Sequence, residues 1–268
     1  MCLKYLLSTY LFVLCSLCSL QAQILNVEKV RLSSDSANYF LGSAGVAFNA
    51  NNRSINDDGE TVSFVGLTAN ADFGYISELH SFLLVSQFNY TATSDDPINS
   101  TGYGHFRINF LRNRQLSYET FAQVQYDQGR GMESRWLSGG GLRFRLNKTE
   151  KNSVYVGVGA MYEQEIWNYP GPSEILLTTR IWKSSNYISG RFQLNDHINL
   201  NLITYYQTGY DFEADYFRHR ISGDLNLLIN VTSKLSLTTT VFGMYENRPV
   251  VPISKVVYSI TNGIIVSF

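Results

Sequence analysis

The stretch Val256-Val257-Tyr258-Ser259-Ile260-Thr261-Asn262-Gly263-Ile264-Ile265-Val266-Ser267-Phe268 alternates along its whole length. One face carries Val256, Tyr258, Ile260, Asn262, Ile264, Val266 and Phe268. The other carries Val257, Ser259, Thr261, Gly263, Ile265 and Ser267. Side chains of a strand point to opposite faces with a period of two, so this is a strand with one strongly apolar face. A soluble domain has little use for an aromatic residue at the end of such a strand. In a membrane barrel the closing strand ends at the lipid–water boundary, which is the expectation for Phe268.

The opposite end carries a different signal. Lys4 is followed by a mostly apolar run from Tyr5 to Leu20, and Leu20-Gln21-Ala22 offers a small residue before a cut at Gln23. Residues 1–22 therefore read as a signal peptide, too short for a spanning helix and with no basic stop-transfer cluster after it. Residues 23–36 form a short N-terminal segment, and 37–268 the barrel. All three cysteines, Cys2, Cys15 and Cys18, lie within the signal. Cys18 is a poor lipid-attachment site, because Leu17 precedes it where a small residue is needed. The mature chain is expected to have no disulfide framework and no cysteine metal site.

Composition narrows the class. Formal net charge is −1, and losing Lys4 with the signal makes it −2, which excludes a strongly basic nucleic-acid surface. Charged residues make up 16% of the chain and aromatics 14%, against roughly 25% charged in ordinary soluble domains. No apolar run after the signal approaches the roughly 18 residues of a membrane helix. An exported chain with few charges and many aromatics points to an all-β, antiparallel up-and-down transmembrane barrel.

Alternating segments fall near 37–50, 61–76, 80–92, 101–112, 116–127, 134–147, 152–165, 179–195, 198–210, 217–231, 235–247 and 256–268. That is about twelve strands, an even number as bacterial barrels require. Tight connections alternate with longer ones, which places both ends of the chain on the periplasmic side. The segment 164–178, with Ile166, Trp167, Tyr169 and Pro170, reads as a long outer loop able to fold in as a plug or to face a partner.

Parity alone does not say which face is outside, since a soluble lipocalin-like barrel shows the same period. Tyr90, Tyr126, Tyr162, Tyr206 and Tyr245 lie near the outer ends of five rising strands on the apolar parity. They stand about eight residues above Phe82, Leu116, Val154, Ile198 and Leu235, a climb of roughly 20 Å for tilted strands. This matches the aromatic girdle of an apolar band about 25 Å tall. Phe110, Tyr118, Phe144 and Phe268 supply the lower girdle.

With that parity, charged residues face inward. Arg107, Glu119, Arg143, Arg145, Glu163 and Glu165 are the lumen and selectivity candidates. Strand direction predicts two clusters: Glu119 with Arg143 and Arg145 low in the lumen, and Glu163, Glu165, Asp127 and Arg135 high in it. Such clusters set ion selectivity or brace the wall by ion pairing. Catalysis is not expected. His105 is the inward histidine of a strand interior, yet no serine and orienting group recur beside it. There is no His-Glu-x-x-His zinc motif. No cofactor or metal is expected.

Three pieces carry a family likeness: Trp136-Leu137-Ser138-Gly139-Gly140-Gly141-Leu142-Arg143-Phe144, Tyr155-Val156-Gly157-Val158-Gly159-Ala160-Met161-Tyr162-Glu163, and the end from Tyr245 through Arg248-Pro249 to Phe268. Together they resemble the salt-induced outer-membrane protein family, also called domain of unknown function 481, over most of residues 60–268. Glu246-Asn247-Arg248-Pro249 departs from the acidic residue often found just before Arg-Pro. The stretch 180–189 is similar to the family's Arg-plus-Ser/Tyr strand, with Trp182 and Lys183 as departures. The resemblance implies a Gram-negative outer-membrane barrel and brings no catalytic or ligand residues. The expected function is a narrow porin-like channel for small solutes or ions in envelope adaptation. The alternatives are a closed barrel acting through its loops and, third, a lipid-modifying enzyme. Expected partners are the bilayer, the barrel assembly machinery through the C-terminal strand, and small solutes or ions.

Overall fold

The computed structural model describes residues 38–54, 61–93, 97–171 and 175–266. The signal peptide, its cleavage site, the segment 23–36 and Phe268 lie outside them. The first six strands are β1 (Tyr39–Ser54), β2 (Thr61–Ile76), β3 (Ser81–Thr93), β4 (Pro97–Phe110), β5 (Leu116–Asp127) and β6 (Met132–Lys148). The second six are β7 (Asn152–Tyr169), β8 (Ile175–Gln193), β9 (Ile198–Asp211), β10 (Tyr216–Asn230), β11 (Leu235–Glu246) and β12 (Val256–Val266). They form one sheet in sequence order, every neighbouring pair antiparallel.

The sheet rolls into a barrel, as contacts between distant strands require. Arg107 on β4 donates to the Tyr205 hydroxyl on β9 at 3.3 Å. In a flat sheet those strands would stand about 24 Å apart, at roughly 4.8 Å per strand. Tyr187 on β8 reaches Glu119 on β5 at 3.0 Å, and Arg220 on β10 reaches Glu163 on β7 at 3.0 Å.

Exposure along each strand settles which face is outside. Glu163 and Glu165 are each 2% exposed, whereas Trp182 is 70% and Tyr258 73% exposed. A soluble barrel buries the apolar parity; this one buries the charged parity and turns Val, Leu, Ile and aromatic side chains outward. In a bilayer those outward residues meet lipid, and the ladder between neighbouring strands satisfies their backbone groups. The fold is an antiparallel up-and-down transmembrane β-barrel of twelve described strands.

Turn chemistry explains the short connections. Ser77 Oγ accepts from His80 N at 2.9 Å, Thr149 Oγ1 from Asn152 N at 2.9 Å, and Asn195 Oδ1 from both His197 N and Ile198 N at 2.8 Å. Thr232 Oγ1 accepts from Leu235 N at 3.0 Å. Each side chain stands in for a backbone acceptor and fixes a tight reversal.

The segment 164–178 is not the long loop expected of it. β7 runs on to Tyr169, and β8 begins at Ile175. Ile166 pairs with Thr178, Trp167 with Leu177 and Asn168 with Leu176. Ile166, Trp167, Leu176 and Leu177 have high strand propensity, and the ladder continues until Pro170, which cannot donate to it.

The lipid face is testable by charge. Val158 is outward at mid-strand and 52% exposed. Val158→Arg should lower folding stability in lipid vesicles by about 2–4 kcal/mol, measured by urea unfolding. A change below the measurement error would mean that this face does not meet the bilayer core.

Candidate functional site: a roofed chamber in the lumen

The barrel interior is divided by layers of side chains. At the inner end, the Arg143 guanidinium lies 3.5 Å from the Tyr155 ring centre, a cation–π contact. Above it, Arg107 sits 3.8 Å from Glu119, which also accepts from the Tyr187 hydroxyl. Arg107 lies over the rings of Phe121 and Tyr187 at 5.4 and 5.9 Å. Tyr187 needs room to do this. A Cβ on Gly157 would fall 2.0 Å from its ring, so the glycine of β7 creates the slot.

Higher still is a buried ionic network. Arg135 of β6 pairs with Glu163 and, at 3.2 Å, with Glu165. Lys183 of β8 pairs with Glu163. Arg220 reaches Glu163 at 3.0 Å, Glu165 at 2.9 Å and Glu246 of β11 at 3.1 Å. Three cations thus meet three carboxylates, all 9% exposed or less. Trp167 Nε1 donates to Glu165 at 3.1 Å and ties the network to the roof above it.

The roof is apolar. Met132, Trp167 and Val251 are fully packed together, with Leu177, Val250 and Ile253 against them. Val251 belongs to the β11–β12 connection, 247–255, which folds over the mouth. Asn247 Oδ1 accepts from His219 N at 2.8 Å, and its amide donates to Phe217 O at 3.0 Å. Arg218 donates to Arg248 O at 2.9 Å and to Asp211 at 2.8 Å. Pro249 and Pro252 stiffen the segment, and Ile253 N reaches back to Val251 O at 2.7 Å. The plug-like connection is 247–255; the segment 164–178 adds Trp167 and Leu177 to the roof from paired strand positions and not as a loop.

Between roof and Arg107 layer lies a chamber of about 270 Å³. Its walls mix aromatic rings (Tyr103, Phe121, Tyr205, Phe242) with amides (Gln87, Asn89, Gln123, Gln125, Gln207). Tyr103, His105 and Phe121 form a row of near-parallel rings, each 6.2 Å from the next. His105 Nδ1 lies 3.1 Å from Gln123 Oε1.

The expected residues are therefore placed as follows. Glu163, Glu165 and Arg135 form the high cluster. Asp127 does not join it; its carboxylate caps the 3-10 turn Gln128–Arg130 by accepting from Arg130 N at 3.3 Å. In the low cluster, Arg145 departs to donate to Asn113 O at the inner turn, 3.1 Å away. Glu119 lies with Arg107, and Arg143 lies against Tyr155. Tyr206, Tyr245, Phe110, Tyr118 and Phe144 are exposed, and Tyr90 and Tyr162 are half-buried; Tyr126 is half-buried, accepts from Ser100 Oγ at 3.3 Å and borders the chamber. Lys183, Glu246, Tyr187 and Tyr205 were not expected in the lumen; the sequence drew attention to Lys183 and Glu246 only within motifs of the family likeness. Lys183 and Tyr187 lie on the same parity of β8 as Ile181, Ser185 and Ser189, all of them buried. Glu246 sits on the inward parity of β11 with Phe242 and Met244.

Removing one carboxylate should expose the strength of this network. Glu163→Gln leaves three buried cations with two carboxylates, a change that should cost about 3–5 kcal/mol of stability in urea unfolding. A loss below about 1 kcal/mol would mean that water already screens the cluster.

Comparison with known proteins adds a family. No curated protein matches the sequence significantly. Among solved structures, the chain is similar to the CymD monoaromatic hydrocarbon channel at 11% identity, covering 90% of this chain and 84% of that one, with a TM-score of 0.40. It is also similar to the copper transporter OprC at 11% identity, covering 86% of this chain and 42% of that one, with a TM-score of 0.31. Neither likeness assigns a solute to this chain. The family described as "Protein of unknown function, DUF481" matches over residues 57–268, most of the described barrel, and the chain belongs to that family.

Proposed function

We propose that the chain is a narrow, gated channel for small solutes or ions in the bacterial outer membrane. The supporting observation is the chamber of about 270 Å³ inside the barrel, walled by amides, rings and paired charges. A barrel that served only as a scaffold would be expected to fill its lumen to native density. This lumen leaves room for a solute while keeping polar groups at its wall. No covalent step, metal or cofactor enters the proposal. Export through a cleaved signal and insertion through the C-terminal strand by the barrel assembly machinery belong to the same reading. The tyrosines near the outer strand ends act as its outer girdle, and the inner rings as its lower one.

The ionic network is balanced, three cations against three carboxylates, so it shapes the passage more than it selects a sign of charge. Charge preference then depends on the inner end, where Arg143 and Arg145 stand. Arg143→Ala with Arg145→Ala should shift the reversal potential of the reconstituted protein toward cation preference in a salt gradient. An unchanged reversal potential removes these two residues from the conduction path.

The roof favours a gate. Met132, Trp167 and Val251 close the outer mouth with apolar contact, and water is excluded where such side chains meet. Val250→Ser, Val251→Ser and Ile253→Ser together should raise the open probability of single channels in a planar bilayer. If the triple variant conducts no more than the parent, the roof is a fixed closure, and the closed-barrel reading with a loop-mediated role takes precedence.

A further inference from the structure

Of the Arg, Lys, Asp and Glu side chains among the described residues, six line the chamber: Arg107, Arg130, Arg135 and Arg220 against Asp127 and Glu246. Glu119, Glu163 and Glu165, which neutralise Arg107 and Arg135, do not border it. Guanidinium donors therefore face the space more than carboxylate acceptors do. Three of these arginines are held by the protein. Arg107 lies by Glu119 and donates to Tyr205, Arg135 pairs with Glu163 and Glu165, and Arg220 with Glu163, Glu165 and Glu246. Arg130 is different. It sits half-buried on the 3-10 turn Gln128–Arg130 at the outer mouth, between β5 and β6. Its backbone N–H donates to Asp127, but among the described residues its guanidinium donates no hydrogen bond and joins no salt bridge. The guanidinium lies 5.9 Å from the centre of the Trp167 ring in the roof, and the charges of Asp127, Arg220, Glu246 and Glu165 all act on it. That places it over the lumen, beside the ionic centre, and not out in the medium above the barrel. Burial lowers its pKa, the direction for a cation short of counter-charge.

A planar guanidinium offers parallel N–H donors that match the two oxygens of a carboxylate. We propose that Arg130 is the recognition point of the chamber for a small organic monocarboxylate, which accepts from its guanidinium while its carbon body lies in the chamber below. The inference deepens the channel reading and rests on it only in requiring that a solute reach the chamber. Small-molecule sites are mostly apolar, with a few polar groups that orient the guest. Here Trp167 backs the guanidinium, and Leu137, Met244, Tyr103 and Phe121 supply apolar wall for the guest's carbon skeleton. A cation fits less well, because arginines outnumber carboxylates along the lining. A dianion such as a phosphate ester would call for a second uncommitted cation, and the other three lining arginines are engaged. The volume limits size: about 270 Å³ lies under the roughly 300–1,000 Å³ of drug-sized sites, so the guest is a small acid.

The probe is benzoate, with benzyl alcohol and benzylammonium as neutral and cationic counterparts. Binding to the full-length protein in detergent at neutral pH is followed by titration calorimetry. Benzoate should bind in preference to both counterparts, and Arg130→Gln should weaken it about tenfold or more while leaving benzyl alcohol unchanged. The glutamine removes the charge and the fork but keeps the backbone N–H that Asp127 caps. Equal benzoate affinity of parent and variant would overturn the proposal, because the carboxylate would then not meet Arg130. A parent that binds benzylammonium or benzyl alcohol as tightly as benzoate would overturn it as well. That order is read without any variant, so a misfolded Arg130→Gln does not shelter the idea. Calorimetry needs no current, so a barrel that binds benzoate through Arg130 but stays silent in the bilayer refutes the channel reading and not this one. A conducting barrel indifferent to benzoate does the reverse.

Discussion

The structure is organised around Arg220. Its guanidinium leaves β10 and meets Glu163 and Glu165 of β7 and Glu246 of β11. Two strands, β8 and β9, separate β10 from β7 in the sheet, so the contact crosses the lumen instead of running along the wall. Arg135 and Lys183 join from β6 and β8. Five strands are thereby held to one ionic centre. In a membrane barrel no solid apolar core is available to do this, since the apolar surface has been turned outward. A buried ion pair is an uncertain source of net stability, because desolvation offsets its attraction. Its geometry nevertheless fixes which strands meet across the interior, and therefore the shape of the space left over.

That space is defined from three sides. The ionic centre forms one wall, the Arg107–Glu119–Tyr187 layer forms the floor, and Met132, Trp167 and Val251 form the roof. The parts are linked. Trp167 is a roof residue that donates to Glu165 of the ionic centre. Glu246, a member of that centre, is the last residue of β11 and leads directly into the roof segment. Arg218 is two residues from Arg220 and holds Arg248 within that segment. A rearrangement of the charges would therefore be felt at the mouth, and the stiff Pro249–Pro252 segment would move as a unit and not fray.

Much of the barrel was legible in the sequence. The period of two is a local property, so β5 and β2 were read to their observed bounds, and the inward and outward sides of each strand followed from parity. Charged residues were legible as inward because lipid excludes them. The error at 164–178 had a definite cause. Pro170 and Gly171 mark a real turn, but the pairing of Trp167 with Leu177 depends on a ladder between strands that local composition does not display. Arg145 and Asp127 were misplaced for a related reason. Both lie near strand ends, where a backbone carbonyl or a capping site competes with the ion pairs of the interior.

The sequence by itself determined the class of fold, the number of strands and the face each side chain takes, because alternation and the lipid environment act residue by residue. Only the tertiary structure decided which charges meet and which loop closes the mouth. Those outcomes depend on how far the sheet curls and how strands on opposite walls stagger. Arg107 finds Tyr205 across 98 positions of chain, and no short-range pattern encodes a contact of that span.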